Sequence, residues 1–217
     1  MAYSFTAANS QSLATASTPV STTPCTLACW YRTTSTTNAT ALVVLQDANG
    51  QSRIQIGTNG IASPKRAIQA IALDSNGVIA TVGQNETSYS ANTWYHGAAV
   101  FASTSDVYAY FNGSAGIRVG AGSVVVSGID QILIGARFTT SLGSYHDGQI
   151  ADVGVWNAAL TAAEIASLAK GMTCDKVRPQ NLVYYAPLVR DLIDQKGGLA
   201  IANNNGATVA NHPRIYP

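Results

Sequence analysis

The chain is poor in charge. Only 11% of its 217 residues are Asp, Glu, Lys or Arg, and the formal net charge is +1. A nucleic-acid-binding domain would carry a basic patch or stripe, which so few charges do not supply. A disordered tail rich in charge of one sign is excluded on the same ground. We therefore expect a folded domain with a polar surface of Ser, Thr, Asn, Gln and Gly, and no nucleic acid among its partners.

Long apolar runs and a leader sequence are also lacking. No run reaches the ~18 apolar residues that identify a membrane-spanning helix, so no membrane insertion is expected. The start, Met1–Phe5, has no basic region followed by an apolar one. It therefore predicts synthesis in the cytoplasm without a secretory signal peptide.

Cysteine is scarce. The three residues are Cys25, Cys29 and Cys174, and an odd count at this density does not indicate a disulfide framework. Cys25 and Cys29 share one face of a predicted strand with Leu27, which predicts two small buried hydrophobic side chains. No Cys or His cluster has the spacing of a zinc site.

Turn signals, by contrast, are plentiful. Asn-Gly occurs five times, and this pair favours the type I′ turns of antiparallel hairpins. The runs between turns predict about ten to twelve short strands, a number typical of a sandwich or barrel. They lie at residues 4–13, 26–32, 41–46, 52–56, 68–73, 78–82, 93–101, 107–112, 124–127, 131–136, 149–156 and 182–188. We predict an all-β fold, a two-sheet antiparallel jelly-roll sandwich.

One short helix is expected near residues 161–170. Thr161 has the position of an N-cap and Glu164 that of residue N3, so together they predict a capping box. Leu160 and Ile165 have the spacing of a hydrophobic staple. Gly171 follows Lys170 as a C′ glycine that ends the helix.

Five segments, in order, resemble the laminin-G-like domains of the concanavalin A-like lectin/glucanase superfamily. They span residues 3–13, 25–32, 92–113, 132–135 and 147–165. The most specific is a strand with Trp94 and His96 followed by a strand that ends in Asn112 and Gly113. The signature residues are Trp30, Trp94, His96, Asn112, Gly113, Asp152, Trp156, Thr161 and Glu164. The resemblance implies a jelly-roll domain over residues 1–196. Residues 197–217 are then a tail that wraps the domain or docks onto a neighbour.

Most signature residues have a structural interpretation. The three tryptophans lie among apolar residues, so we expect them to fill the core between the sheets. His96 is predicted to be a hydrogen-bonded structural histidine. Asp152 is predicted to be a buried carboxylate that fixes a loop, with a calcium ligand as the alternative, because some laminin-G-like domains bind calcium. No complete calcium ligand set can be matched, and no other cofactor is expected.

The glucanases of the superfamily use paired glutamates on one strand, in a Glu-x-Asp-x-(x)-Glu arrangement, to flank the scissile bond. This chain has only two glutamates, Glu86 and Glu164, which are far apart, and Glu164 is explained by the helix cap. Asp191 and Asp194 belong to a loop that the family uses structurally. The resemblance therefore predicts a protein that is not an enzyme.

Two non-enzymatic functions are open. The first is a bacteriophage virion protein, a head decoration or tail appendage, because phages encode standalone laminin-G-like proteins that are made without a signal peptide. Its partner would be a capsid or tail protein, and it would be located in the virion. Its expected oligomeric state is a homo-oligomer. The alternative is a lectin-like module that binds a cell-surface glycan. The two are compatible, because an appendage can also bind host glycan.

A glycan site is predicted in the loop 137–147. It joins two strands and carries Arg137, Tyr145, His146 and Asp147, residue types that stack on sugars or bond their hydroxyl groups. A weaker candidate combines Tyr89 with Asn85 and Glu86.

Overall fold

The computed structural model describes residues 1–60, 66–85, 89–115, 123–139 and 141–211. Within these ranges the chain forms seventeen strands and one α-helix. The strands are β1 (Ala2–Phe5), β2 (Ser12–Thr15), β3 (Cys25–Thr33), β4 (Ala39–Gln46), β5 (Arg53–Asn59), β6 (Arg66–Leu73), β7 (Ile79–Asn85), β8 (Trp94–Phe101), β9 (Val107–Phe111), β10 (Ser114–Ala115), β11 (Gln131–Ile134), β12 (Arg137–Phe138), β13 (Leu142–Gly143), β14 (Gly148–Trp156), β15 (Leu182–Ala186), β16 (Ala202–Asn204) and β17 (Thr208–Ala210).

The strands pair into two large antiparallel sheets. The eight-stranded sheet has the order β10-β9-β8-β3-β14-β1-β17, and β15 also pairs with β14. The seven-stranded sheet has the order β16-β2-β11-β4-β5-β6-β7, and β12 and β13 form a separate hairpin. The prediction of an all-β, two-sheet jelly-roll sandwich is confirmed.

The main core lies between the two sheets. Side chains alternate along each strand, so every second residue points inward. Leu27, Cys25 and Cys29 of β3 meet Ile54 and Ile56 of β5 in this core, and all five are fully buried. The two cysteines are free thiols, so the prediction that they act as small buried hydrophobes is confirmed.

The predicted helix is present as α1 (Ala162–Ala169). Thr161 is its N-cap, and the capping box with Glu164 is complete. Ile165 and Leu168 are its buried residues, and they pack on the outer face of the eight-stranded sheet. No helix in the described part of the chain is long and apolar enough to cross a bilayer.

The prediction that the three tryptophans fill the core between the sheets is wrong. Trp156 is fully buried but packs in a second cluster, under α1. A bulge in β14, where Asp152 has a φ of 50°, changes the alternation so that Val155 faces inward and Trp156 outward. Trp30 and Trp94 are only half-buried, because they lie on the outward-facing positions of β3 and β8.

Two predicted strands also differ from the structure. Residues 4–13 form β1 and β2, which belong to different sheets, because the chain crosses between them through a 3-10 turn ending at Ser10 with a φ of 54°. Residues 124–127 form no strand, although Val124 and Val126 are buried in the main core.

The C-terminal segment adds one strand to each sheet. β16 pairs with β2 at the edge of the seven-stranded sheet, and β17 pairs with β1 at the edge of the eight-stranded sheet. Ile201 and Ala207 of this segment are buried in the main core. Residues 197–211 are therefore part of the packed sandwich.

Candidate functional site

The outer face of the seven-stranded sheet carries a row of polar side chains. In β5, Ile54 and Ile56 point into the core, so Arg53 and Gln55 point outward. Gln55 pairs across the sheet with Ile71 of β6, and Gln69 lies two residues before Ile71 on the same face. Gln55 and Gln69 are 4% and 7% exposed, which is unusually low for glutamine on a sheet face that points away from the core.

The β12–β13 hairpin explains part of this burial. Phe138 packs on Val44 and Leu133, which point away from the main core. Its backbone N–H donates to Oε1 of Gln46 at 3.1 Å. The β4–β5 turn approaches so closely that a Cβ on Gly50 would lie 2.1 Å from the Phe138 carbonyl oxygen, so this position requires glycine. The hairpin is thereby held against one end of the polar row.

A small, shallow pocket opens beside the hairpin. Strands β4, β5 and β6 form its floor, and Arg137 and Ser144 form one wall. Its lining residues are Ala39, Thr40, Gln55, Thr58, Gln69, Ile71, Arg137 and Ser144. None of these residues is acidic. The lining combines amide, hydroxyl and guanidinium groups, so it can donate and accept hydrogen bonds from a polar ligand.

One atom of this lining has no hydrogen-bond partner. Oε1 of Gln55 is buried and unpaired among the described residues. Leaving a buried acceptor unpaired costs about 1–3 kcal/mol, so such groups require an explanation.

Arg53 lies next to Gln46 of β4 and Leu73 of β6 in the sheet. Its side chain is only 7% exposed, and Nη1 donates to the Gly50 carbonyl oxygen at 3.3 Å. The Nε atom is buried without a partner in the part of the chain that the structure describes. Burial, together with the nearby charge of Arg137, lowers the pKa of Arg53 to about 10.

The fold separates the residues of the predicted glycan loop, so that some lie at the pocket and others are buried in the protein. Arg137 lines the pocket and is half-buried, and Tyr145 is half-buried one residue after the lining residue Ser144. His146, however, is fully buried, with Nδ1 3.3 Å from Oγ1 of Thr40 and Nε2 3.1 Å from the Arg32 carbonyl oxygen. Burial lowers the pKa of His146 to about 4. The prediction that His146 faces a ligand is corrected, because its ring points into the protein.

Asp147 also has a structural position. Its Oδ2 accepts from Oγ1 of Thr34 at 2.6 Å, and Oδ1 accepts from the backbone N–H of Ala7 at 3.3 Å. These bonds tie three loops together at the end of the sandwich.

The weaker glycan-site candidate was built on Tyr89. Its side chain is buried and donates to the Thr36 carbonyl oxygen. Glu86 and the side chain of Asn85 lie outside the described residues.

The signature residues on the other sheet are distant from the pocket. His96 is buried with its ring edge-on to Trp30 at a centroid distance of 5.4 Å, and burial lowers the pKa of His96 to about 3. Its Nδ1 has no hydrogen-bond partner among the described atoms, unlike the predicted hydrogen-bonded ring. The Asn-Gly turn that follows β9 is as expected, since Asn112 and Gly113 have φ values of 48° and 82°.

Asp152 is 2% exposed, and both of its carboxylate oxygens have protein partners. Oδ1 accepts from the Tyr185 hydroxyl at 2.9 Å, and Oδ2 accepts from the Cys174 thiol at 3.4 Å. Burial raises the pKa of Asp152 to about 6, although these two bonds act to lower it. Across the described ranges, no three His, Cys, Asp or Glu side chains cluster as metal ligands would.

Sequence reasoning missed the pocket residues Gln55 and Gln69. The alternation of Arg53 and Gln55 with two isoleucines indicates that they point away from the core. Nothing local indicates that a hairpin eighty residues later covers that face.

Solved structures share this architecture. A heptameric pentraxin from Limulus polyphemus is 16% identical with a TM-score of 0.59, over 91% of this chain and 87% of its own. A putative carbohydrate binding protein from Bacteroides ovatus is 15% identical with a TM-score of 0.64, over 95% of this chain and 58% of its own. The CBM40 of a Ruminococcus gnavus sialidase, bound to α2,3-sialyllactose, is 12% identical with a TM-score of 0.55, over 69% of this chain and 83% of its own.

The fold defines a lectin-like β-sandwich. A family model described as the concanavalin A-like lectin/glucanases superfamily matches residues 7–166, and the chain belongs to this family. A search of curated proteins returned no match.

Proposed function

We propose that this protein is a non-catalytic carbohydrate-binding module. Its ligand would occupy the pocket that lies between Gln55 and Gln69 of the sheet on one side and Arg137 and Ser144 on the other. The observation that carries the proposal is the buried, unpaired Oε1 of Gln55 in the pocket lining. A sugar hydroxyl group is the donor that this oxygen needs. Carbohydrate binding is also stated for relatives with the same fold.

The lining supports binding without hydrolysis. A glycosidase of the usual kind needs two carboxyl groups roughly 5–9.5 Å apart around the scissile bond. Of the described residues that line this pocket, none is Asp or Glu. Glu164 is in the helix cap and paired with Arg178. We expect glycans that bind to be recovered intact after prolonged incubation.

A glycan array with the full chain, with and without calcium, tests the proposal, and calorimetry on the selected glycan measures its affinity. The Gln55→Leu variant removes the acceptor at similar size. We expect it to weaken binding at least about tenfold, because a hydrogen bond in a desolvated site is lost. Its thermal stability should not fall, because the substitution also removes a buried unpaired group.

Gln149→Leu is the matched control, because Gln149 lies on β14 of the other sheet. It should bind the glycan as the unmodified protein does. An array on which no glycan binds, or equal affinities for Gln55→Leu and the unmodified protein, would contradict the proposal.

The predicted role in a bacteriophage virion stays a prediction. None of the relatives described above connects this chain to a capsid or tail, and the two roles are compatible. Mass spectrometry of gradient-purified particles tests it: co-purification at a fixed copy number would support a virion component. Recovery in the particle-free fraction alone would contradict it.

A further inference from the structure

Two arginines approach the pocket from different parts of the chain. Arg137, at the start of β12, lines the pocket wall. Arg53, at the start of β5, pairs across the sheet with Gln46, whose Oε1 accepts from the backbone N–H of Phe138 in the same hairpin. The hairpin that carries Arg137 and the strand that carries Arg53 therefore meet at Gln46, and the charge of Arg137, after burial, helps to lower the pKa of Arg53. Among the described residues, no carboxylate forms an ion pair with either guanidinium.

This arrangement of two like charges is electrostatically unfavourable. Arg53 is nine-tenths buried, and its Nε has no partner in the described structure. Its pKa, lowered to about 10, still leaves it protonated at neutral pH. Two like charges at one partly desolvated site repel each other. An anionic group bound to Arg137 would relieve that repulsion and form charge-assisted hydrogen bonds.

We propose that the pocket selects glycans that carry an anionic group, a carboxylate or a sulfate ester. Arg137 would bind this group directly, and Arg53 would strengthen the positive field from below. Gln55 would accept a hydrogen bond from a neighbouring hydroxyl group of the same sugar. The combination of an unpaired acceptor with two cationic donors matches an acidic sugar better than a simple anion, which has no hydroxyl group to donate. This inference rests on the proposed carbohydrate-binding function.

The test uses an array on which each glycan backbone is present in neutral, carboxylated and sulfated form. We expect the acidic forms to bind at least about tenfold more tightly than the neutral form of the same backbone. A preference for carboxylated or for sulfated glycans identifies the source of the charge. Equal or tighter binding of the neutral forms would overturn this inference and leave the proposed function standing. No binding to any form would overturn both.

The Arg137→Gln variant tests the assigned residue. Its affinity for the acidic glycan should fall to that for the neutral form. Its melting temperature should not fall, because the substitution removes a like charge near Arg53 and Arg137 is only half-buried. Arg190→Gln is the matched control, since Arg190 is an exposed arginine beside β1 of the other sheet. Raised salt should weaken binding of the acidic glycan to the unmodified protein and have little effect on Arg137→Gln. Unchanged discrimination in Arg137→Gln would overturn the assignment.

Discussion

Residue type and residue direction are separate properties, and the loop 137–147 illustrates the difference. Its composition predicts a ligand site, but outside the two short strands β12 and β13 the side chains follow no fixed period. Arg137 reaches the pocket, whereas His146 turns inward and packs its ring edge against Phe5. The residue types of this loop therefore predicted a segment that borders the pocket. The side chains that line it depend on local φ and ψ values, such as the φ of 48° at Ser144, that composition does not specify.

Asp152 makes a residue-scale prediction about pH. Its pKa is raised from the ordinary 3.8 to about 6 by burial, so the folded state binds the proton more tightly than the unfolded state. Its stabilising contribution is therefore complete below about pH 4 and is lost as the pH rises through 6. Asp152→Asn stays neutral and tolerates the φ of 50°. Between pH 4 and pH 7 we expect the free energy of unfolding of the variant to rise by about 2–3 kcal/mol relative to that of the unmodified protein.

Urea unfolding of both proteins across this pH range measures the difference. Asp191→Asn serves as the control, because Asp191 is exposed. A difference between Asp152→Asn and the unmodified protein that is constant with pH would contradict the prediction.

At the scale of single elements, local sequence signals were sufficient to predict the bounds of α1 but not to predict two of the strands correctly. Thr161, Glu164 and Gly171 lie within one short segment, so the sequence determines both ends of the helix. The break between β1 and β2 depends instead on their partners, β14 and β11, which lie more than a hundred residues later. Residues 124–127 alternate as a strand does, and Val124 and Val126 enter the core, but no strand among the described residues pairs with them.

The helix cap gives the element-scale prediction. Thr161→Ala removes the oxygen that accepts the backbone N–H of Glu164 and frees the Glu164 side chain from one of its bonds. We expect a loss of about 1 kcal/mol in the free energy of unfolding, measured with urea. Ser167→Ala is the matched control, because Ser167 lies inside the helix and bonds back to the Ala163 carbonyl oxygen. Its effect should be close to zero, since alanine is the better helix former. Equal losses in the two variants would contradict a specific role for the cap.

At the scale of the whole molecule, closure of the sandwich depends on the two ends of the chain. Ala2 pairs with Ala210, and Ser12 pairs with Asn204. The Asn-Gly turn at 205–206 predicts a hairpin, but β16 and β17 pair with different sheets and not with each other. Local turn chemistry cannot specify partners two hundred residues away. The same limit applies to the pocket, whose floor and wall come from distant segments.

A substitution at the buried Ile201 tests whether the C-terminal segment completes the core of the sandwich. Ile201 is 5% exposed in the main core, between the two C-terminal strands and the rest of the sandwich. Ile201→Ala should reduce the free energy of unfolding by about 2–4 kcal/mol, because it leaves a cavity where both sheets are closed. Val209→Ala, at a position that is 46% exposed in β17, should cost less than about 1 kcal/mol. Urea unfolding of the two variants measures both losses. If they are equal, the C-terminal segment contributes only edge strands; a much larger loss for Ile201→Ala means that it completes the core as well.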